Sequence, residues 1–297
     1  MHPLLATSLF AQEIVNGVVQ GGVYVLVAIG LSLVFGVLKV VNFAHGEFYV
    51  VGGFVAYLCT ASLGLPYWSA VVLAALAGLA VGAVAERLAV KPLRGAPEDA
   101  VFLSTFGLSL VLLYGVKLLL GGQPHTVATS FTGDMHFAGV VLTDQQLVLI
   151  ALTIVLVGAL FVVLRRSYVG LVLRAVAQDR ATGSLMGIEV ERVYWAAFAV
   201  AAALAAVAGA IVAPLYSVNP YSGQDILITA FIVVIAAGLG SLPGAVMVGL
   251  GLGIAEALAA GYGPSGSRQY VAYVLVVAVL LFRPQGLFPG TARAVRA

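Results

Sequence analysis

The sequence predicts an all-α fold, a polytopic helical membrane protein with about eight or nine transmembrane helices and a broken or re-entrant segment near 226–260. Three observations carry this expectation. The 297 residues are 62% hydrophobic and 9% charged, with a mean hydropathy of +1.11, which is not the composition of a soluble domain. Charge-free intervals run over 14–38, 48–85, 145–164, 193–224 and 226–255, and about 20 apolar residues suffice to cross the hydrocarbon core. The basic residues gather between alternate intervals. The chain reads as a single membrane domain over 1–297, surrounded by lipid, and its net charge of +2 argues against a nucleic-acid partner.

Taken in order, the first span is expected at 14–37. Met1–Glu13 lacks the basic region of a cleavable leader, so this span is expected to act as an uncleaved insertion signal. Spans at 45–63 and 67–88 share one interval and are divided at Gly64-Leu65-Pro66. Spans at 101–120 and 146–164 flank an external loop, 121–144, and another span follows at 193–215. Gly238-Leu239-Gly240-Ser241-Leu242-Pro243-Gly244 cuts 226–260 into pieces of about 12 and 16 residues. These read as two thin spans, as re-entrant half-helices, or as tilted helices joined by a short turn, since broken backbone at membrane depth needs protein or water to satisfy it. The last span is 269–283, followed by a short tail, 291–297. The lone Cys59 excludes an internal disulfide and is expected to pack within its helix.

With the N-terminus outside, twelve of the 14 basic residues face the cytoplasm, leaving only Lys117 and Arg268 outside. The inverted arrangement violates the positive-inside rule. The C-terminus is then cytoplasmic. The inner loop 165–192 concentrates eight charged residues: Arg165, Arg166, Arg174, Arg180, Arg192, Asp179, Glu189 and Glu191. It reads as one short helix from about Gly170 to Met186, stopped by Gly187 at a C-cap position. Such a loop is suited to docking a separate motor protein.

Polar residues beside apolar spans are the remaining candidates. In Asn42-Phe43-Ala44-His45-Gly46-Glu47, Asn42 reads as the N-cap of the following helix and Glu47 as a first-turn acid that favours the helix dipole. His45 reads as a tie between helices, a gate, or a solute or proton contact. One His and one Glu do not make a metal site, which needs three or four convergent ligands. Asn16 and Gln20 share a helix face and could meet a polar interior. Glu256 lies inside an apolar stretch, where an acid is costly unless paired or near water. Asp225 reads as a helix-start residue. The glycines within the spans suit close helix packing.

No catalytic residue and no cofactor is expected. The chain has three lysines, none preceded by glycine, so no Walker phosphate loop exists. His-Glu-x-x-His and Gly-x-Ser-x-Gly are also absent. Nucleotide energy would have to come from a partner.

Asn42–Glu47, Glu86-Arg87…Lys91-Pro92-Leu93-Arg94, and Gly170-x3-Arg174-Ala175-x3-Asp179-x7-Gly187-Ile188 resemble bacterial branched-chain amino-acid ABC transporter permeases of the LivH type. Asn219-Pro220-Tyr221, Gly238–Ala245 and Gly253-Ile254-Ala255-Glu256-Ala257 fit the same pattern, so that the resemblance covers about 13–286. It implies an inner-membrane importer subunit paired with a LivM-type second permease, above two ATP-binding subunits and below a periplasmic substrate-binding protein. It also implies a coupling helix containing Gly170, Arg174, Ala175, Asp179, Ala181 and Gly187. Asn16, Gln20, Asn42, His45, Glu47 and Glu256 remain the pathway or gate candidates. Relatives of this kind handle branched-chain and other amino acids, amides or urea. Two rival readings are a proton-coupled secondary transporter using Glu256, Glu47 and His45, and a membrane enzyme with His45 and Glu47 as an acid–base pair.

Overall fold

The computed structural model describes residues 3–288 except 130, 132, 138 and 265. The tail 291–297, with Arg293 and Arg296, lies outside the described residues. The helices are α1 (Pro3–Leu38), α2 (His45–Tyr57), α3 (Tyr67–Ala85), α4 (Glu98–Leu120), α5 (Asp144–Arg166), α6 (Tyr168–Gln178), α7 (Arg180–Leu185), α8 (Val190–Val212), α9 (Ser222–Ala237), α10 (Leu242–Tyr262) and α11 (Ser267–Phe282). Strands β1 (Asp134–Phe137) and β2 (Val140–Thr143) form an antiparallel hairpin in the loop before α5. The chain is a polytopic helical membrane protein. Among the described residues, six helices have the length and hydropathy to cross a bilayer, and α9 and α11 are shorter apolar helices packed among them.

α8 is the central helix. Its run from Ala197 to Val212 is almost wholly buried, because small side chains let its neighbours approach. A Cβ on Gly52 of α2 would collide with the backbone of Ala206, and one on Gly78 of α3 would overlap the Ala206 side chain. The far end of α8 is closed by polar bonds. Tyr67 Oη donates to the Ala210 carbonyl at 3.3 Å, and Gln145 Nε2 donates to the Ile211 carbonyl and to Tyr67 Oη, each at 2.9 Å. These bonds satisfy carbonyls that a helix end otherwise leaves orphaned.

The 226–260 region is broken, but only across Gly238–Ser241. Gly238 and Gly240 turn there with φ of +103° and +80°, a conformation glycine adopts without steric penalty. The pieces are 16 and 21 residues long. α10 runs antiparallel along α1, with Gly36 against Gly240, Gly21 against Leu250, Gly17 against Ile254, and Gly261 against Glu13. That stretch of α1 is roughly 35 Å long at 1.5 Å per residue, a full crossing. α9 runs from Tyr221, bonded to Lys117 near the end of α4, to Gly238. So α10 is a full crossing, and the shorter α9 meets its start through a tight turn while its own first turn packs against Gly46. Leu287 and Phe288 N–H groups cap the Ala236 and Ala237 carbonyls at 2.9 and 2.8 Å.

The irregular backbone at membrane depth lies elsewhere, between α1 and α2. His45 Nε2 sits 3.1 Å from the Val27 carbonyl. Val27 is eleven residues before the end of α1, so α2 starts about 16 Å above that end. Residues 40–44 therefore climb back into the span without helical bonds. Protein groups take up two of their donors: Phe43 N–H donates to Thr105 Oγ1 at 3.3 Å, and Ala44 N–H donates to Asn42 Oδ1 at 3.0 Å. This is the condition under which such backbone is tolerated.

Candidate functional site

Two regions hold the sequence candidates. The first projects from the end of the molecule that carries Arg87, Lys91, Arg94 and Arg192. The expected single helix over 170–186 is two helices, α6 and α7, interrupted at Asp179. The break has a local cause. Asp179 is extended (φ −148°, ψ 111°), and its Oδ1 accepts from the N–H groups of Ala181 and Thr182 at 2.8 and 3.3 Å. Its Oδ2 accepts from Thr182 Oγ1 at 2.5 Å. Asp179 is thus the N-cap of α7, and those donors, the Thr182 hydroxyl first, hold its carboxyl below the ordinary carboxylate range.

α6 leaves α5 after the single residue Ser167, whose Oγ accepts from Gly170 N–H at 3.0 Å. A side chain at Gly170 would collide with the Val163 and Leu164 carbonyls, so the reversal requires glycine. The C-cap of α7 is Met186, and Gly187, expected at that position, follows it at φ +79° and ends the segment. Arg174, Asp179, Ala181 and Gly187 are exposed, Ala175 is half-buried and Gly170 is buried. Leu185 and Met186 form an apolar tip, 87% and 78% exposed.

Beside this segment lies an ion-pair network in which the sequence marked no site. Arg94 pairs with the buried Glu86, its Nη1 lies 3.1 Å from Glu191 Oε1, and Lys91 Nζ lies 3.0 Å from Glu191 Oε2. The Arg94 and Arg180 guanidinium groups both lie over the Tyr194 ring, at 5.1 and 5.8 Å. Leu38 and Val40 join Arg94, Arg180 and Tyr194 around a cavity of about 110 Å³. The root of α7 therefore touches Tyr194 of α8 and shares this cavity with the end of α1 and the start of the re-entrant segment. The Glu86…Arg94 spacing was the available signal; the return of α8 to meet it was not visible.

The second region is buried. Asn42, His45 and Glu47 are 0%, 0% and 1% exposed. Asn42 is not the N-cap of α2: Ala44 holds that position, because the chain needs Asn42 two residues earlier to bond the Ala44 N–H. Glu47 lies in the first turn of α2 and accepts from Ser109 Oγ of α4 at 3.2 Å. His45 faces α1 rather than Glu47. Glu256 is also buried, accepting from Tyr24 Oη at 2.6 Å and pairing with Arg268 Nε at 3.4 Å. Asn16 and Gln20 take separate partners: Asn16 bonds Gln12 at 3.1 Å, while Gln20 accepts from Tyr216 Oη at 3.3 Å. His45, Glu47 and Glu256 are not brought together as one cluster. No group of His, Cys, Asp and Glu among the described residues has the geometry to hold a metal.

Comparison with known proteins gives this architecture a family. Residues 13–283 match the family model described as "Branched-chain amino acid transport system / permease component". The chain is 36% identical to the high-affinity branched-chain amino acid transport system permease protein LivH of Escherichia coli K12, covering 94% of this chain and 95% of that one. It is 34% identical to BraD of Pseudomonas aeruginosa over the same shares. It is also 25% identical to LivM of Salmonella typhimurium, over 91% of this chain and 68% of LivM. A match of this length and identity, on a bundle of apolar helices, assigns the chain to the branched-chain amino acid transport system permease family.

Proposed function

We propose that this chain is a permease subunit of an ABC importer that carries branched-chain amino acids across the inner membrane. The observation that carries the reading is identity to LivH over nearly the full length of both chains. The membrane-spanning helices form the conduit as a single unit, and a LivM-type permease completes it. Two ATP-binding subunits supply the energy, and a periplasmic binding protein delivers the solute. The N-terminus faces the periplasm. This orientation is supported by the gathering of Arg87, Lys91, Arg94, Arg180 and Arg192 at one end, with Lys117 and Arg268 away from it.

The 168–187 segment is the coupling element. Two features support this: its apolar tip is exposed, and its root touches Tyr194 beside the Arg94 network. Closure of the ATPases on ATP would push α6 and α7, and through them α5 and α8, shifting the conduit between inward-open and outward-open populations. Asp179 serves this role as the cap that shapes α7, and Arg174 as an exposed contact. The test is purification from the native membrane in mild detergent through an affinity tag. Recovery of two ATP-binding proteins and a second permease is expected. Recovery of this chain alone in several detergents contradicts the reading.

A further inference from the structure

Resting on that permease reading, we infer that the solute passes along the exposed faces of α4 and α9, which together form a groove bridged by Phe43, and that Phe43, Phe102, Phe106 and Phe231 form its constriction. α9 presents an outward stripe of Gln224, Ile228, Phe231 and Ile235, spaced as one helix face, with the exposed Asp225 beside it. This stripe is not at a membrane surface. Gly223 and Leu227, on the opposite side of the same turns, lie against Gly46, at the point where the re-entrant segment becomes α2. A carboxylate and a carboxamide facing hydrocarbon at that depth are costly, so this face is turned from lipid toward the conduit that the second permease completes. The outer faces of α3 and α5 differ: Val72, Leu76 and Val84, and Ile154, Val155 and Val162, are exposed aliphatic residues suited to lipid.

α4 supplies the other wall. Its Phe102 and Phe106 are exposed, and farther along, Lys117 Nζ donates to Tyr221 Oη at 2.9 Å, joining the two walls at that end. Between the walls sits Phe43. Its ring is edge-on to Phe102 at 4.6 Å and to Phe106 at 6.5 Å, and lies 5.1 Å from Phe231. Phe43 is thus the ring that bridges α4 to α9. An aromatic constriction suits a solute with an aliphatic side chain, because it offers apolar contact without a fixed polar partner.

Phe43 is also placed to respond to the coupling element. It is carried by backbone that has no helical bonds and is held by Thr105. Three residues before it, Val40 lines the cavity shared with Arg94 and Arg180. Movement of α7 against Tyr194 therefore reaches the segment that positions the ring. The buried trio Asn42, His45 and Glu47 anchors that segment behind the groove and does not line it.

The test uses the assembled importer in proteoliposomes, with Cys59→Ala as background and single cysteines at Gln224, Ile228, Phe231 and, for comparison, Ile154. A charged methanethiosulfonate reacts with thiolate in water and poorly in lipid. In the nucleotide-free or the vanadate-trapped state, Ile228→Cys and Gln224→Cys should react about tenfold faster than Ile154→Cys, with Phe231→Cys differing most between states. Added leucine should slow all three. If the groove cysteines react as slowly as Ile154→Cys in both states while the Cys59→Ala background keeps ATP-driven leucine uptake, the groove assignment is wrong. If the wild-type complex shows no such uptake, the permease reading itself fails.

Discussion

Replacing Arg94 with Met should destabilise the protein through the carboxylate it leaves behind. Glu86 sits at the end of α3 with its side chain 1% exposed, and Arg94, 10% exposed, is its ion-pair partner. Removing one member of a buried pair costs about 3–5 kcal/mol, because the other charge stays desolvated and unpaired. The cation–π contact with Tyr194 contributes about 1 kcal/mol more. The link to the exposed Glu191 counts for little. Arg94 lies at the rim, so water partly re-enters and the lower end applies to the pair, about 3 kcal/mol, or about 4 kcal/mol with the cation–π contact. For a chain of this size that corresponds to a fall in melting temperature of roughly 8–16 °C, read by intrinsic fluorescence in detergent. The double variant Glu86→Gln/Arg94→Met, which removes the stranded charge, should recover much of the loss. A single variant that melts within about 1 °C of wild type would refute the burial argument.

Other outcomes follow from particular contacts. Gly52→Val drives a side chain into the backbone of Ala206, so α2 and α8 must separate; a stability loss of at least about 1–3 kcal/mol is expected as reduced monodisperse yield. Thr105→Val is nearly isosteric but strands the Phe43 N–H, costing about 1–3 kcal/mol and loosening the re-entrant segment, visible as faster amide exchange over 39–44. Asp179→Ser should keep α7 capped and preserve uptake, whereas Asp179→Ala should fray α7 and lower it. Since the Asp179 carboxyl is held below its ordinary 3.8, its capping contribution is complete above that pH and is lost only as pH falls through the lower folded value. Uptake by wild-type complex should thus show no Asp179-dependent change between about pH 5 and 8.

The spans were legible in the sequence because hydrocarbon admits so few alternatives. The charge-free intervals ending at Leu38, Ala85 and Leu164 stop within two residues of the ends of α1, α3 and α5. The turn at Gly238–Ser241 was legible from its glycines. Three features were not. Lys39 and Asn42 look like an ordinary surface loop, yet 39–44 return to membrane depth because Asn42 and Thr105 replace water as partners. The division of α6 from α7 had a signal, an Asp followed by residues able to donate to it, but helical periodicity runs through it unbroken. The segregation of His45 from Glu47 depends on which neighbours flank α2, and spacing along one helix carries no such information.

The central claim is that the 168–187 segment transmits ATPase motion to the conduit, and the Leu185→Asp/Met186→Asp variant tests it most directly. Both side chains are exposed, so the permease itself should fold and melt as wild type does. In reconstituted importer, ATP-driven leucine uptake should fall by about tenfold or more, because an apolar anchor at an interface carries much of its binding energy. Uptake equal to wild type would contradict the account.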